Sequence, residues 1–96
     1  MPRSGVVNIP PGTVTEVTDG AVSSEITLQL MSGHARILGT SSGTAPSVGD
    51  FKGGLLIERG EGPPFGSTLD SMFPGAGYTR LWALSVGGAE FTVFHA

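Results

Sequence analysis

Ninety-six residues suffice for one domain with a modest core, and sixteen Gly with seven Pro exclude a helical bundle, because both residue types break helix interiors. The net charge is −3 and the basic residues Arg3, Arg36, Lys52, Arg59 and Arg80 are scattered, which excludes the clustered basic face that nucleic-acid binding requires. Charged residues make up only 14% of the chain, below the usual quarter, so the surface is either plainly neutral or built to pack against neighbours.

The chain opens with MPRSGVVNIPPG, which lacks the apolar run of a signal peptide; no later segment is long and apolar enough to span a membrane. Residues 1–12 read as an extended N-terminal arm that two prolines bring to an end, and residues 13–96 as the folded domain. Within it, TVTEVT (13–18) alternates β-branched and polar residues, and DG (19–20) closes it. EITLQLM (25–31) and HARILGT (34–40) are two strands, SSGTAPSVGD (41–50) is a loop, and GLLIE (54–58) is a strand. RGEGPPFG (59–66) is a longer turn. STLDSMF (67–73) is a strand or a half-turn, with a short helix as the alternative. YTRLWALS (78–85) and EFTVFHA (90–96) are the last pair. About seven strands spaced near ten residues apart predict an all-β fold, a single antiparallel β-sandwich or small barrel.

Two short glycine loops suggest hairpins in defined register. Around Ser32-Gly33, Leu30 faces Ala35, Leu28 faces Ile37 and Ile26 faces Gly39 on a core side, while Gln29 lies beside Arg36 on a wet side. Around Gly87-Gly88, Leu84 faces Phe91, Trp82 faces Val93 and Arg80 faces His95, so Trp82 points inward. The opposite side then holds Leu81 against Phe94. Two large apolar residues on a side that should be polar indicate a covered patch, covered either by the N-terminal arm or by another subunit. Val6, Val7 and Ile9 give the arm an apolar side of its own.

Chemistry is hard to assemble. His34 and His95 have no second ligand at metal-binding spacing, and with no Cys there is neither a disulfide nor a thiolate. Glu58 and Glu61 flank Arg59 in a predicted open turn and read as solvating charge. GGLLIERGEGPPFG is glycine-rich, but it leads into Pro63-Pro64 and carries glutamates that repel a phosphate. No G-x-S-x-G elbow precedes a helical pattern. The expectation is a protein that is not an enzyme and takes no cofactor. In FPGAGYTRLW, Pro74-Gly75 suits a type II turn, and Tyr78 is left as a ligand-contact residue, for instance a sugar platform.

The segments ITLQLMSGHARIL, GGLLIERGEG and FPGAGYTRLWALSVGGAEFTVFHA resemble a group of small β-rich virion proteins of tailed bacteriophages. The resemblance covers about residues 22–96 and is most specific from Phe73 to Ala96. It implies a structural protein, foremost a capsid decoration (cement) protein. Such a protein would form dimers or trimers, clamp the major capsid protein on the virion surface, and occupy the host cytoplasm during assembly. The contact residues expected on that reading are Val6, Val7 and Ile9 in the arm and Leu81 and Phe94 in the last ribbon, with neither nucleic acid nor membrane as a partner. The alternative is a tail- or fibre-associated module that binds a carbohydrate or receptor.

Overall fold

The structure is a computed structural model, and it describes residues 3–23, 25–61 and 67–96. Seven strands occur among these residues: β1 (Arg3–Ile9), β2 (Thr15–Glu16), β3 (Ile26–Ser32), β4 (His34–Thr40), β5 (Leu55–Glu58), β6 (Arg80–Leu84) and β7 (Ala89–His95). They form two antiparallel sheets, a three-stranded one in the order β1-β7-β3 and a four-stranded one in the order β2-β6-β4-β5. The all-β expectation therefore stands. No helix among the described residues is long and apolar enough to cross a membrane.

Alternation along the strands assigns the faces. Val7 and Ile9 of β1, Ile26, Leu28 and Leu30 of β3, and Phe91 and Val93 of β7 are buried in one apolar cluster. Ala35 and Ile37 of β4 and Leu81 and Ala83 of β6 join it from the four-stranded sheet. Burying a Leu, Ile, Val or Phe contributes about 1.5–3 kcal/mol, so this shared cluster is the main stabilising term.

Both predicted hairpins are overturned. β3 and β4 lie in different sheets, as do β6 and β7. Leu28, Leu30, Ala35 and Ile37 are core residues as expected, but not as side-by-side strand neighbours. Each glycine loop turns a corner between sheets. Gly33 (φ 77°) and Gly88 (φ 88°) take backbone conformations that favour glycine, and the two corners touch: a Cβ on Gly33 would lie 2.4 Å from the Gly88 carbonyl oxygen. Ser85 ties the β6–β7 corner down. Its Oγ donates to the His34 carbonyl at 2.6 Å, and its carbonyl accepts the Gly12 N–H at 2.8 Å.

The corners shift β6 by one residue relative to the hairpin reading. Leu81 and Ala83 point into the core, so Trp82 lies on the other face of its sheet, in register with Glu16 and Leu38. Trp82 is still buried, and its indole N–H donates to Thr40 Oγ1 at 2.9 Å. Arg80 does not meet His95 but reaches Glu16, at 3.5 Å.

Of the predicted arm 1–12, the stretch Arg3–Ile9 is not a separate arm but a sheet strand. β1 pairs with β7 along its length, from Arg3 opposite His95 to Ile9 opposite Ala89. The uncertain stretch 67–73 resolves into a bridge, Ser67 with Ile26, followed by the four-residue helix α1 (Leu69–Met72). Thr68 caps that helix by accepting the Ser71 N–H at 3.1 Å. The loop 41–50 gives way to a 3-10 helix, Val48–Gly53, in which the Asp50 carboxylate accepts the Ser47 N–H and Phe51 is buried. The predicted turn at Pro74-Gly75 is present: the Ala76 N–H donates to the Phe73 carbonyl, and Gly75 has φ 76°. Most of the predicted turn 59–66 lies outside the described residues.

Candidate functional site

The residues expected to make contacts separate into two groups. Val7, Ile9 and Leu81 are withdrawn into the core at 6%, 2% and 0% exposure, so a partner cannot reach them. Their assignment as interface residues is corrected on that ground. Val6 and Phe94 are different: they are 59% and 47% exposed. Both sit on the outer face of the three-stranded sheet, because their neighbours Val7 and Val93 point inward. Register places Val6 opposite Thr92 and Phe94 opposite Ser4, so the two apolar side chains are diagonal neighbours across the β1–β7 pair. The other residues of this face are polar, Ser4, Asn8, Thr27, Gln29, Glu90 and Thr92, apart from Met31, which is 51% exposed at the β3 register shift. Leu81 and Phe94 thus never form one patch, since they belong to opposite sheets.

Tyr78 is largely committed to packing. Its ring lies on Gly39, where a Cβ would come within 2.3 Å of Cδ2. It also meets Phe73 edge-on, with ring centroids 5.2 Å apart. Only glycine at position 39 allows this approach. The ring keeps partial exposure.

A second surface escaped the sequence reading. An open groove of about 450 Å³ runs over β4, β5 and the end of β6, with Leu56, Leu84 and Val86 as apolar walls and His34, Arg36 and Glu58 at its polar side. Val86 is 84% exposed and Leu56 51%. The Arg36 guanidinium is already engaged, donating to the Gly54 carbonyl at 3.2 Å. Leu56 and Val86 could have been singled out only by knowing that β5 is an edge strand and that residues 85–88 form an inter-sheet corner.

Polar order within the fold concentrates around Glu16 and His95. Glu16 Oε2 accepts from Thr18 Oγ1 (3.2 Å), from the Gly20 N–H (3.1 Å) and from Arg80 Nη1 (3.5 Å). Thr18 Oγ1 in turn accepts the Leu81 N–H at 3.2 Å. His95 is buried and accepts the Asp19 N–H at Nε2 (3.0 Å), which leaves the ring proton on Nδ1 to donate to the Ala96 carbonyl at 2.8 Å. Both clusters hold the 16–20 segment to the sheets and are structural. Among the described residues no group of three or more His, Asp and Glu is placed to share a metal ion.

Among the described residues two surfaces stand out, the Val6/Phe94 face with its β1 edge and the groove over β4 and β5. Comparison with protein-family models, with curated proteins and with solved structures found no match to this chain.

Proposed function

We propose that this chain is a non-catalytic structural protein of a tailed-bacteriophage virion, foremost a capsid decoration (cement) protein. On this reading its two sheets act as one rigid β-sandwich that self-associates as a dimer or trimer and clamps major capsid protein subunits on the capsid surface, after assembly in the host cytoplasm. Two things support it: the sequence resemblance over residues 22–96, and an outer sheet face where Val6 and Phe94 stand exposed beside each other above a buried apolar cluster. The exposed pair is the observation that carries the reading, because large apolar side chains left in water beside a free sheet edge suit a protein whose work is contact. Clamping would act by mass action and avidity. Once one contact to the lattice forms, the others become intramolecular, and each raises the stability of the bound lattice.

The test is quantitative mass spectrometry of purified virions. A copy number commensurate with the major capsid protein supports decoration; absence from virions overturns the proposal. A copy number matching tail parts would favour the second reading, a tail- or fibre-associated carbohydrate- or receptor-binding module. The observation in favour of that module is the partial exposure of Tyr78, and a glycan array without hits counts against it.

A further inference from the structure

Among the sheet edges of the described residues, β1 is the one that is both long and undefended. The outer edge of β3 is covered: Leu30 N–H donates to the Glu61 carbonyl, Gly60 N–H to the Leu30 carbonyl, and Ile26 N–H to the Ser67 carbonyl. β2 has two residues, one of them the engaged Glu16. β5 has four, ends on Glu58, and has its Glu58 N–H taken by the Glu61 carboxylate at 2.9 Å. β1 has seven residues, and from Ser4 to Ile9 it carries no charge. Natural edges are normally blunted by charge, proline or brevity.

The hydrogen-bond phase of β1 follows from that of β3. Since Ile26 and Leu30 direct their N–H groups away from β7, their opposite residues His95 and Phe91 must direct theirs toward β1. Arg3, Gly5 and Val7, being in register with His95, Val93 and Phe91, are therefore bonded to β7. Ser4, Val6 and Asn8 direct their N–H and C=O groups to the free edge. Pro10, the next residue in that phase, has no N–H and ends the series.

We propose that this edge pairs with β1 of a second copy, antiparallel, about a two-fold axis at Val6. The proposal rests on the self-association in the reading above and gives it a geometry. The outward set is symmetric about Val6, so one register satisfies all of it: Ser4 against Asn8 of the second copy, Val6 against Val6, and Asn8 against Ser4. The interleaved rows place Gly5 against Val7 of the second copy and Arg3 against Ile9. Non-hydrogen-bonded rows bring side chains closest, and Gly5, with φ 133° and nothing within 4 Å of its Cβ position, leaves room there. No row sets two like charges opposite each other, which is what favours a second copy over an unrelated strand. The result is one continuous sheet across both chains. On its outer face the two Val6 side chains meet, flanked by the two Phe94 rings.

The area of one strand pair is below that of a permanent dimer, so the association should depend on concentration. Sedimentation velocity of the full chain, from about 1 µM to about 1 mM, should show a shift toward twice the 9.8 kDa chain mass. Amide exchange at the two ends of that range should show Ser4, Val6 and Asn8 gaining protection at high concentration, while Gly5 and Val7 are protected throughout. Asn8→Pro removes one edge donor from each copy without touching the β7 bonds, and should weaken dimerisation roughly tenfold or more. Val6→Lys sets two ammonium groups face to face and should do likewise, with the circular dichroism spectrum unchanged in both variants. A dimer whose Ser4, Val6 and Asn8 amides exchange freely would overturn the β1 pairing and leave self-association standing. A monomer at every concentration would overturn both, and would leave the virion copy number to decide the structural role alone. Edge protection that appears only on adding capsid lattice would assign the edge to a capsid-protein strand instead.

Discussion

Replacing Gly33 by Asn separates an inter-sheet corner from a hairpin turn. Asn tolerates positive φ better than other non-glycine residues, so a two-residue hairpin loop, open to solvent, would accommodate it. A hairpin would therefore accept Gly33→Asn at a cost of a few tenths of a kcal/mol. In the corner, any Cβ at position 33 lies 2.4 Å from the Gly88 carbonyl oxygen and 3.3 Å from the Ala89 Cα. Both obstacles are backbone, and relieving the contact means parting the two corners by about 1 Å, a shift of the kind that costs about 1–3 kcal/mol. Gly33→Ala adds the left-handed penalty of about 1–2 kcal/mol. Domains of this size have about 5–15 kcal/mol in total. Urea unfolding followed by the fluorescence of Trp82, the single tryptophan, should show the midpoint for Gly33→Asn falling by roughly 1 M, and further for Gly33→Ala. If Gly33→Asn unfolds within about 0.5 kcal/mol of the parent, the contact between corners is refuted.

Thr18→Val keeps the volume but leaves the Leu81 N–H without its Oγ1 acceptor, and urea unfolding should report a loss of about 1–3 kcal/mol. Gly39→Ala should displace the Tyr78 ring; near-ultraviolet circular dichroism should change while the far-ultraviolet spectrum keeps its β character. Leu81→Asp should abolish cooperative unfolding, since it buries an unpaired carboxylate at a position with 0% exposure. Phe94→Asp should stay folded, with a melting temperature within a few degrees of the parent and weaker self-association by light scattering.

Period-two patterning was enough to locate most strands and half of the core. ITLQL and HARIL alternate cleanly, and their inward residues are those that are buried. What local pattern does not encode is the partner of each strand. A Ser-Gly or Gly-Gly link between two apolar runs fits a hairpin and a corner between sheets equally well. The choice is made by distant strands: β7 is held between β1 and β3, and β6 between β2 and β4. Treating Gly87-Gly88 as a hairpin loop displaces β6 by one residue, which puts Trp82 instead of Leu81 on the core face. Phe94 needed no such link, and alternation within β7 alone placed it outside. The N-terminal strand is legible as extended, but its place depends on a partner strand at the far end of the chain, with Arg3 opposite His95 and Ile9 opposite Ala89.

That distance governs how the protein must come into being. Until residues 89–95 are available, the opening segment and β3 have nothing between them, and one of the two sheets does not exist. Synthesis from the ribosome therefore presents a long interval in which Val7, Ile9, Leu28 and Leu30 await cover. Closure comes with a late insertion of one strand between two waiting ones, a non-local step that is intrinsically slow. Chains cut short before Ala89 should be captured by chaperones or lost to inclusion bodies, while cuts that spare β7 but remove surface loops should be better tolerated.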